Sequence, residues 1–121
     1  MPSDNKIDYV ELPAKDLAAV KQFYSQVFGW VFEDFGEEYV AFSNAGLTGG
    51  FYKIDLASDS DAGAALVILY AVNLEQTLAR VQEYGGQIVK PVFEFPGGRR
   101  FHFKDPAGNE LAVWSAGSAP V

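Results

Sequence analysis

Residues Tyr9 to Trp30 read YVELPAKDLAAVKQFYSQVFGW, and residues Leu66 to Gln87 read LVILYAVNLEQTLARVQEYGGQ. Laid over one another at one constant offset, Val10 meets Val67, Leu12 meets Leu69, Ala14 meets Ala71, Leu17 meets Leu74 and Gly29 meets Gly86. Asp16 meets Asn73, and both residue types cap helices well by accepting hydrogen bonds from the free N–H groups of the first turn. Identity is sparse, but the order of events is the same in each copy: strand, cap, helix, terminal glycine. In the first copy residues 6–13 read as a strand, and Leu17, Val20, Tyr24 and Val27 recur at helical spacing. In the second, residues 65–72 are an apolar strand, Gln76 completes a capping box with Asn73, and Leu74, Leu78 and Val81 form the buried stripe. Gly29 and Gly85-Gly86 stop the two helices.

The segments after these glycines correspond too. WVFEDFG, EEYVAFS and LTGGFYKID come after the first helix, with a turn at Asn44-Ala45-Gly46. QIVKPVFEF, RRFHFK and NELAVWS come after the second, separated by turns at Pro96-Gly97-Gly98 and Asp105-Pro106-Ala107-Gly108. The chain therefore reads as α+β: two tandem β-α-β-β-β modules, about 6–56 and 65–115, joined by the small, acidic linker 57–64. Neither half can bury a sheet face alone, so the two modules share one core and form a paired half-barrel with a concave groove. The tail from Ala116 is expected to fray.

Composition narrows the function. The 121 residues include 9 Lys+Arg against 16 Asp+Glu, a formal net charge of −7, and no cysteine. Such a chain repels nucleic-acid phosphates and anionic lipid, and it has neither disulfides nor thiolate metal sites. No apolar run nears the roughly 18 residues of a membrane span. The short polar start, Met1 to Lys6, is not read as a leader, so the expected setting is the cytoplasm, with no nucleic-acid or membrane partner.

Strand parity then selects a working face. Val10 and Leu12 pack inward and leave Tyr9 and Glu11 outside; Phe101 and Phe103 pack inward and leave Arg100 and His102 outside. By the same rule Glu110 and Trp114 oppose Leu111 and Val113, and Tyr52 opposes Phe51. The expected groove holds Tyr9, Glu11, Tyr52, Arg100, His102, Glu110 and Trp114. His102, the single histidine, beside Glu11 or Glu110 is the candidate general base. Arg99 and Arg100 are candidates for binding a carboxylate or phosphate, and Tyr9, Tyr52, Trp114 and Trp30 for stacking on a planar ligand. Pro96-Gly97-Gly98 and Gly49-Gly50 lack the strand–loop–helix setting of a phosphate loop. Asp55, Asp59 and Asp61 lack the glycine and the glutamate of a calcium loop and read as solvated linker.

The tandem modules, with DLAAVKQFYSQVFGW in the first and KDPAGNELAVW at the end, resemble the vicinal-oxygen-chelate superfamily over residues 6–115. That superfamily includes glyoxalase I, bleomycin-resistance proteins and extradiol dioxygenases. The resemblance implies the paired half-barrel, a homodimer and, in the enzymes, one divalent metal held by His or Glu side chains from the first and last strands of each module. Carried over singly, those ligand positions fall on Tyr9, Gly50, Leu66 and Ala112. None is His, Asp or Glu, so no metal and no other cofactor are expected. The expected activity is metal-independent binding of a small organic molecule, anionic or aromatic, in the groove. The alternatives are a metal-dependent lyase, isomerase or dioxygenase with displaced ligands, and a ligand-free dimeric scaffold.

Overall fold

The computed structural model describes residues 2–117. Eight strands and two helices run in the order β1 (Tyr9–Ala14), α1 (Leu17–Phe28), β2 (Val31–Asp34), β3 (Tyr39–Ser43), β4 (Thr48–Lys53), β5 (Val67–Tyr70), α2 (Leu74–Glu83), β6 (Gln87–Phe95), β7 (Gly98–Lys104) and β8 (Glu110–Ala116). A short 3-10 turn at Ser60–Ala62 lies in the connection between β4 and β5. The strands form two four-stranded sheets, β1-β4-β3-β2 and β5-β8-β7-β6. β1 and β5 pair in parallel with β4 and β8, and the remaining pairs are antiparallel. The sheets are not closed into a barrel. The first and fifth strands are shorter than the expected 6–13 and 65–72. β8 continues through Ala116, and the rest of the tail expected to fray, residues 118–121, lies outside the described residues.

The helices begin and end for local reasons. The Asp16 side chain accepts from Ala19 N at 3.1 Å, and Gly29 at φ 74° returns its N–H to Ser25 O; this left-handed conformation is one that a side chain with a Cβ resists. Asn73 accepts from Gln76 N at 3.0 Å. The Gln76 side chain makes no return bond among the described residues, so the expected capping box is only half formed.

Each sheet buries one face beneath the helices. Val20, Phe23, Tyr24 and Val27 of α1 are buried, and Leu74 and Val81 of α2 with them. Phe23 and Phe28 meet Phe103 of β7, while Tyr24 meets Phe51 of β4, so α1 touches both sheets and the buried apolar side chains form one cluster. Trp30 belongs to it: its ring stacks 4.4 Å from Tyr24 and 4.5 Å from Phe42, which removes it from the expected ligand stackers. Burying an aromatic side chain of this kind contributes about 1.5–3 kcal/mol.

A polar node ties the last turn to this core. Asp105 Oδ1 accepts from Ala107 N and Asn109 N, and Asp105 Oδ2 accepts from the Tyr24 hydroxyl at 2.8 Å. The Asn109 amide donates to Pro13 O at 2.8 Å, and its oxygen accepts from Ser58 N at 2.7 Å. One buried side chain thus joins β1, the β7–β8 turn and the β4–β5 connection. Burial holds the Tyr24 phenol well above its ordinary value, with the nearby Asp105 charge and hydrogen bond adding to it. Burial likewise raises Asp105, against the lowering effect of the bonds it accepts.

Candidate ligand-binding site

Phe101 and Phe103 are fully buried on the helix side of β7, and Arg100 and His102 point to the opposite, open face. Cross-strand pairing sets Arg100 against Trp114, His102 against Ala112 and Lys104 against Glu110. β5 adds Ile68 beside Ala112 and Tyr70 beside Trp114. Arg100, His102, Glu110 and Trp114 therefore share one surface. Tyr9, Glu11 and Tyr52 occupy the open face of the other sheet. The expected groove of seven residues is thus built by this chain as two groups on two sheets. The Glu11 carboxylate accepts from Tyr39 at 2.9 Å, whereas His102 bonds to Glu110.

On the first sheet, Gly50 shapes the group. A Cβ there would stand 2.1 Å from the Tyr39 hydroxyl oxygen, so only glycine lets the Tyr39 ring lie across β4. The ring reaches Glu11 and also Tyr9, whose hydroxyl is 2.5 Å from that of Tyr39. Partial burial, with the bonds to Tyr9 and Glu11, raises the Tyr39 phenol far above its ordinary value.

On the second sheet, His102 Nδ1 lies 2.8 Å from Glu110 Oε2, and Ser60 Oγ donates to Glu110 Oε1 at 2.9 Å. Burial alone would raise Glu110; the bonds from His102 and Ser60, with the His102 and Lys90 charges, bring it below its ordinary value instead. With Glu110 ionised, Nδ1 carries the proton of this bond. His102 Nε2 is enclosed and has no hydrogen-bond partner among the described residues. The connection between the sheets covers this corner, because Glu110 N donates to Ser58 O and Ser60 reaches the Glu110 carboxylate. It also brings Asp59 and Asp61 beside Glu110, with oxygens of all three within 4.8 Å of one another. The linker acids are therefore not wholly apart from the sheet, although both Glu110 oxygens are already engaged.

The two adjacent arginines separate. Arg99, buried on the helix side, makes a two-pronged ion pair with Glu75 of α2, which lowers Glu75 and raises Arg99. Arg100 has no ion-pair partner among the described residues. Its guanidinium lies 5.2 Å from the Phe93 ring centre and 5.5 Å from that of Phe95, and its Nε is enclosed without a hydrogen bond. Ile68, Phe95, Arg100 and Trp114 line a slot of about 280 Å³. Strand parity alone does not single out Phe93 and Phe95, yet the sequence holds a signal for them. A two-residue hairpin at Pro96-Gly97 pairs Phe95 with Gly98 and Phe93 with Arg100.

Larger hollows lie elsewhere, two of them on the sheets. One of about 500 Å³ runs between β1 and β5 and includes Leu12, Trp30, Phe42 and Leu69. Another of about 850 Å³ borders Tyr9, Glu33, Phe35 and Tyr39. Neither has Arg100, or any other arginine, in its wall, as the smaller slot does. Among the described residues no helix is long and apolar enough to cross a membrane.

The fold recurs widely among solved structures. FosX, a genomically encoded fosfomycin resistance protein from Listeria monocytogenes, superposes with a TM-score of 0.77 at 18% identity, covering 97% of this chain and 96% of its own. A glyoxalase-related enzyme from Fulvimarina pelagi gives 0.73 at 21% identity, covering 92% and 88%. TnmS3, an antibiotic binding protein from Streptomyces sp. CB03234, gives 0.68 at 18% identity, covering 97% and 100%. Among curated proteins none matches. The family model of the Glyoxalase/Bleomycin resistance protein/Dioxygenase superfamily matches residues 6–113, nearly all of the two-sheet frame, and the chain belongs to that superfamily.

Proposed function

We propose that this protein binds a small organic anion on the open face of its second sheet, without a metal ion, and that Arg100 takes the negative charge. The observation that carries this reading is the state of Arg100. In a chain with 16 acids its neighbour Arg99 is ion-paired with Glu75, while Arg100 has no carboxylate partner among the described residues and lies against two aromatic rings. A guanidinium so placed offers its fork of donors to a ligand, and the partly dry surroundings strengthen the bond.

The donor set at the expected metal positions does not fit a divalent ion. Leu66 and Ala112 offer no ligand atom. The space beside Gly50 is taken by the Tyr39 ring, and the Tyr9 hydroxyl is engaged with Tyr39. A metal centre needs several convergent nitrogen, oxygen or sulfur donors, and these four positions supply one phenol. His102 and Glu110 are instead buried and bonded to each other on the Arg100 side of the sheet.

The same reading includes a homodimer. Val72, just beyond the edge strand β5, and Ile7, just before edge strand β1, are exposed. Unpaired strand edges with apolar side chains are surfaces that association covers.

Titration calorimetry with small organic acids, on wild type and Arg100→Ala, tests the reading. The charge-assisted bond is worth about 1.5–3 kcal/mol, so the substitution weakens binding about tenfold or more. Binding that is unchanged in Arg100→Ala, or that requires added metal and is abolished by chelator, overturns it.

A further inference from the structure

We infer that the anion taken by Arg100 is a small aromatic carboxylate, lying in the slot that Ile68, Phe95 and Trp114 line beside it. This rests on Arg100 as the anion-binding residue and names the class of ligand at that site.

Three observations point to it. The first is size. The slot measures about 280 Å³, just under the ~300 Å³ at which drug-sized ligand sites begin, so it suits a small acid rather than a drug-sized one. The second is the wall chemistry. Phe95 and Trp114 stand 6.2 Å apart at 63°, Tyr70 packs edge-on against Trp114 at 4.8 Å and 74°, and Ile68 supplies the remaining aliphatic side. Rings set at steep angles leave both a face and an edge for a planar guest, which is the geometry aromatic pairs favour. The third is charge. Arg100 brings one unpaired guanidinium to the slot, and the chain as a whole carries −7. One cation in a field of that sign matches a monoanion. A dianion such as a phosphate monoester adds a charge with no partner at the slot.

Arg100 is oriented by Phe93 and Phe95, whose rings lie against its guanidinium while its Nε is enclosed. The bond to the ligand therefore comes from the terminal nitrogens, whose parallel N–H groups match the two oxygens of a carboxylate. The ring of the acid then lies against Trp114, across the strand pair from Arg100.

The test compares benzoate, cyclohexanecarboxylate and phenyl phosphate by titration calorimetry against wild type, Arg100→Ala and Arg100→Lys. Proton NMR of the benzoate complex supplies contacts between ring protons and the Trp114 indole. Benzoate is expected to bind about threefold or more tighter than the saturated acid. Phenyl phosphate is expected to bind more weakly than benzoate, and contacts to Trp114 are expected. Arg100→Lys, which keeps the charge and loses the fork, is expected to fall between wild type and Arg100→Ala. If the saturated acid binds as tightly as benzoate while Arg100→Ala still abolishes binding, the aromatic assignment is wrong and anion binding by Arg100 stands. If no acid binds in an Arg100-dependent way, both fail. Benzoate contacts confined to residues away from Trp114 also overturn the assignment.

Discussion

Replacing Asn109 with alanine tests whether one buried side chain holds the ligand face in place. Asn109 is fully buried; its amide donates to Pro13 O and Asp105 Oδ2, and its oxygen accepts from Ser58 N. Alanine leaves the Pro13 carbonyl and the Ser58 N–H without partners in a dry place, and removes one of the bonds that support the Asp105 carboxylate. Each orphaned group costs about 1–3 kcal/mol, and because the three share one node the losses are not additive. A total of about 3–5 kcal/mol is expected, a large fraction of the roughly 5–15 kcal/mol of a typical domain. With a urea slope of about 1–3 kcal/mol per molar for a chain of this size, the unfolding midpoint falls by at least about 1 M. The effect should also be felt at the site, because Ser58 and Ser60 sit in the same connection and Ser60 holds Glu110. Since His102 is the single histidine, its ring signals in a nitrogen-15 NMR spectrum report on that corner without ambiguity. Asn109→Asp keeps an acceptor for Ser58 but sets a second carboxylate against Asp105, and it should be at least as damaging as alanine. A loss below about 1 kcal/mol in Asn109→Ala, with unshifted His102 signals, would refute the reasoning.

Other substitutions address single features. Gly50→Ala puts a methyl group where the Tyr39 hydroxyl now lies, so the ring swings out, its phenol returns toward the ordinary value of 10.0, and ultraviolet titration of the tyrosines records the change. Tyr24 keeps its proton in the folded chain at pH values where the unfolded chain loses it, so stability falls as pH rises above 10.0; Tyr24→Phe should flatten that alkaline limb in thermal melts. Glu110 has the opposite sign: its depressed value contributes stability above 4.5 that is lost as pH falls through the lower folded value. Glu110→Gln should therefore be less stable at neutral pH and show a shallower acid limb, with Asp105 common to both proteins. Light scattering should give twice the monomer mass at micromolar concentration, and a monomer mass there would contradict the proposed dimer.

Much of the frame could be read from local signals. The offset between Val10 and Val67, the caps Asp16 and Asn73, and the alternation of Arg100 and His102 with Phe101 and Phe103 are all short-range patterns, and each recurs in the structure. What escaped depends on contacts distant in sequence. That Arg99 meets Glu75 comes from where α2 docks, not from the Arg99-Arg100 pair itself. That Tyr39 reaches Glu11 comes from the bare backbone of Gly50 on a strand between them. The linker reads as solvated because its acids and small residues are polar, yet Ser58 and Ser60 are drawn onto β8 by Asn109 and Glu110. Parity places a side chain on a face; it does not say which sheet supplies the opposite wall, and so the seven groove residues divide into two groups.

The parallel pairing of β1 with β4 and of β5 with β8 also constrains how the chain assembles. β1 has no partner until the chain has run through to Thr48–Lys53, and β5 none until Glu110–Ala116. Each sheet is completed by its last strand, across a long loop whose ordering entropy is lost before the ladder returns anything. On a ribosome the first sheet can close while the second is still being made. The strand carrying Ile68 and Tyr70, by contrast, must wait for nearly the entire polypeptide, exposed all that while to pairing with another chain. Substitutions that weaken β8 should therefore be felt first as slow refolding and aggregation, before any loss of equilibrium stability is measurable.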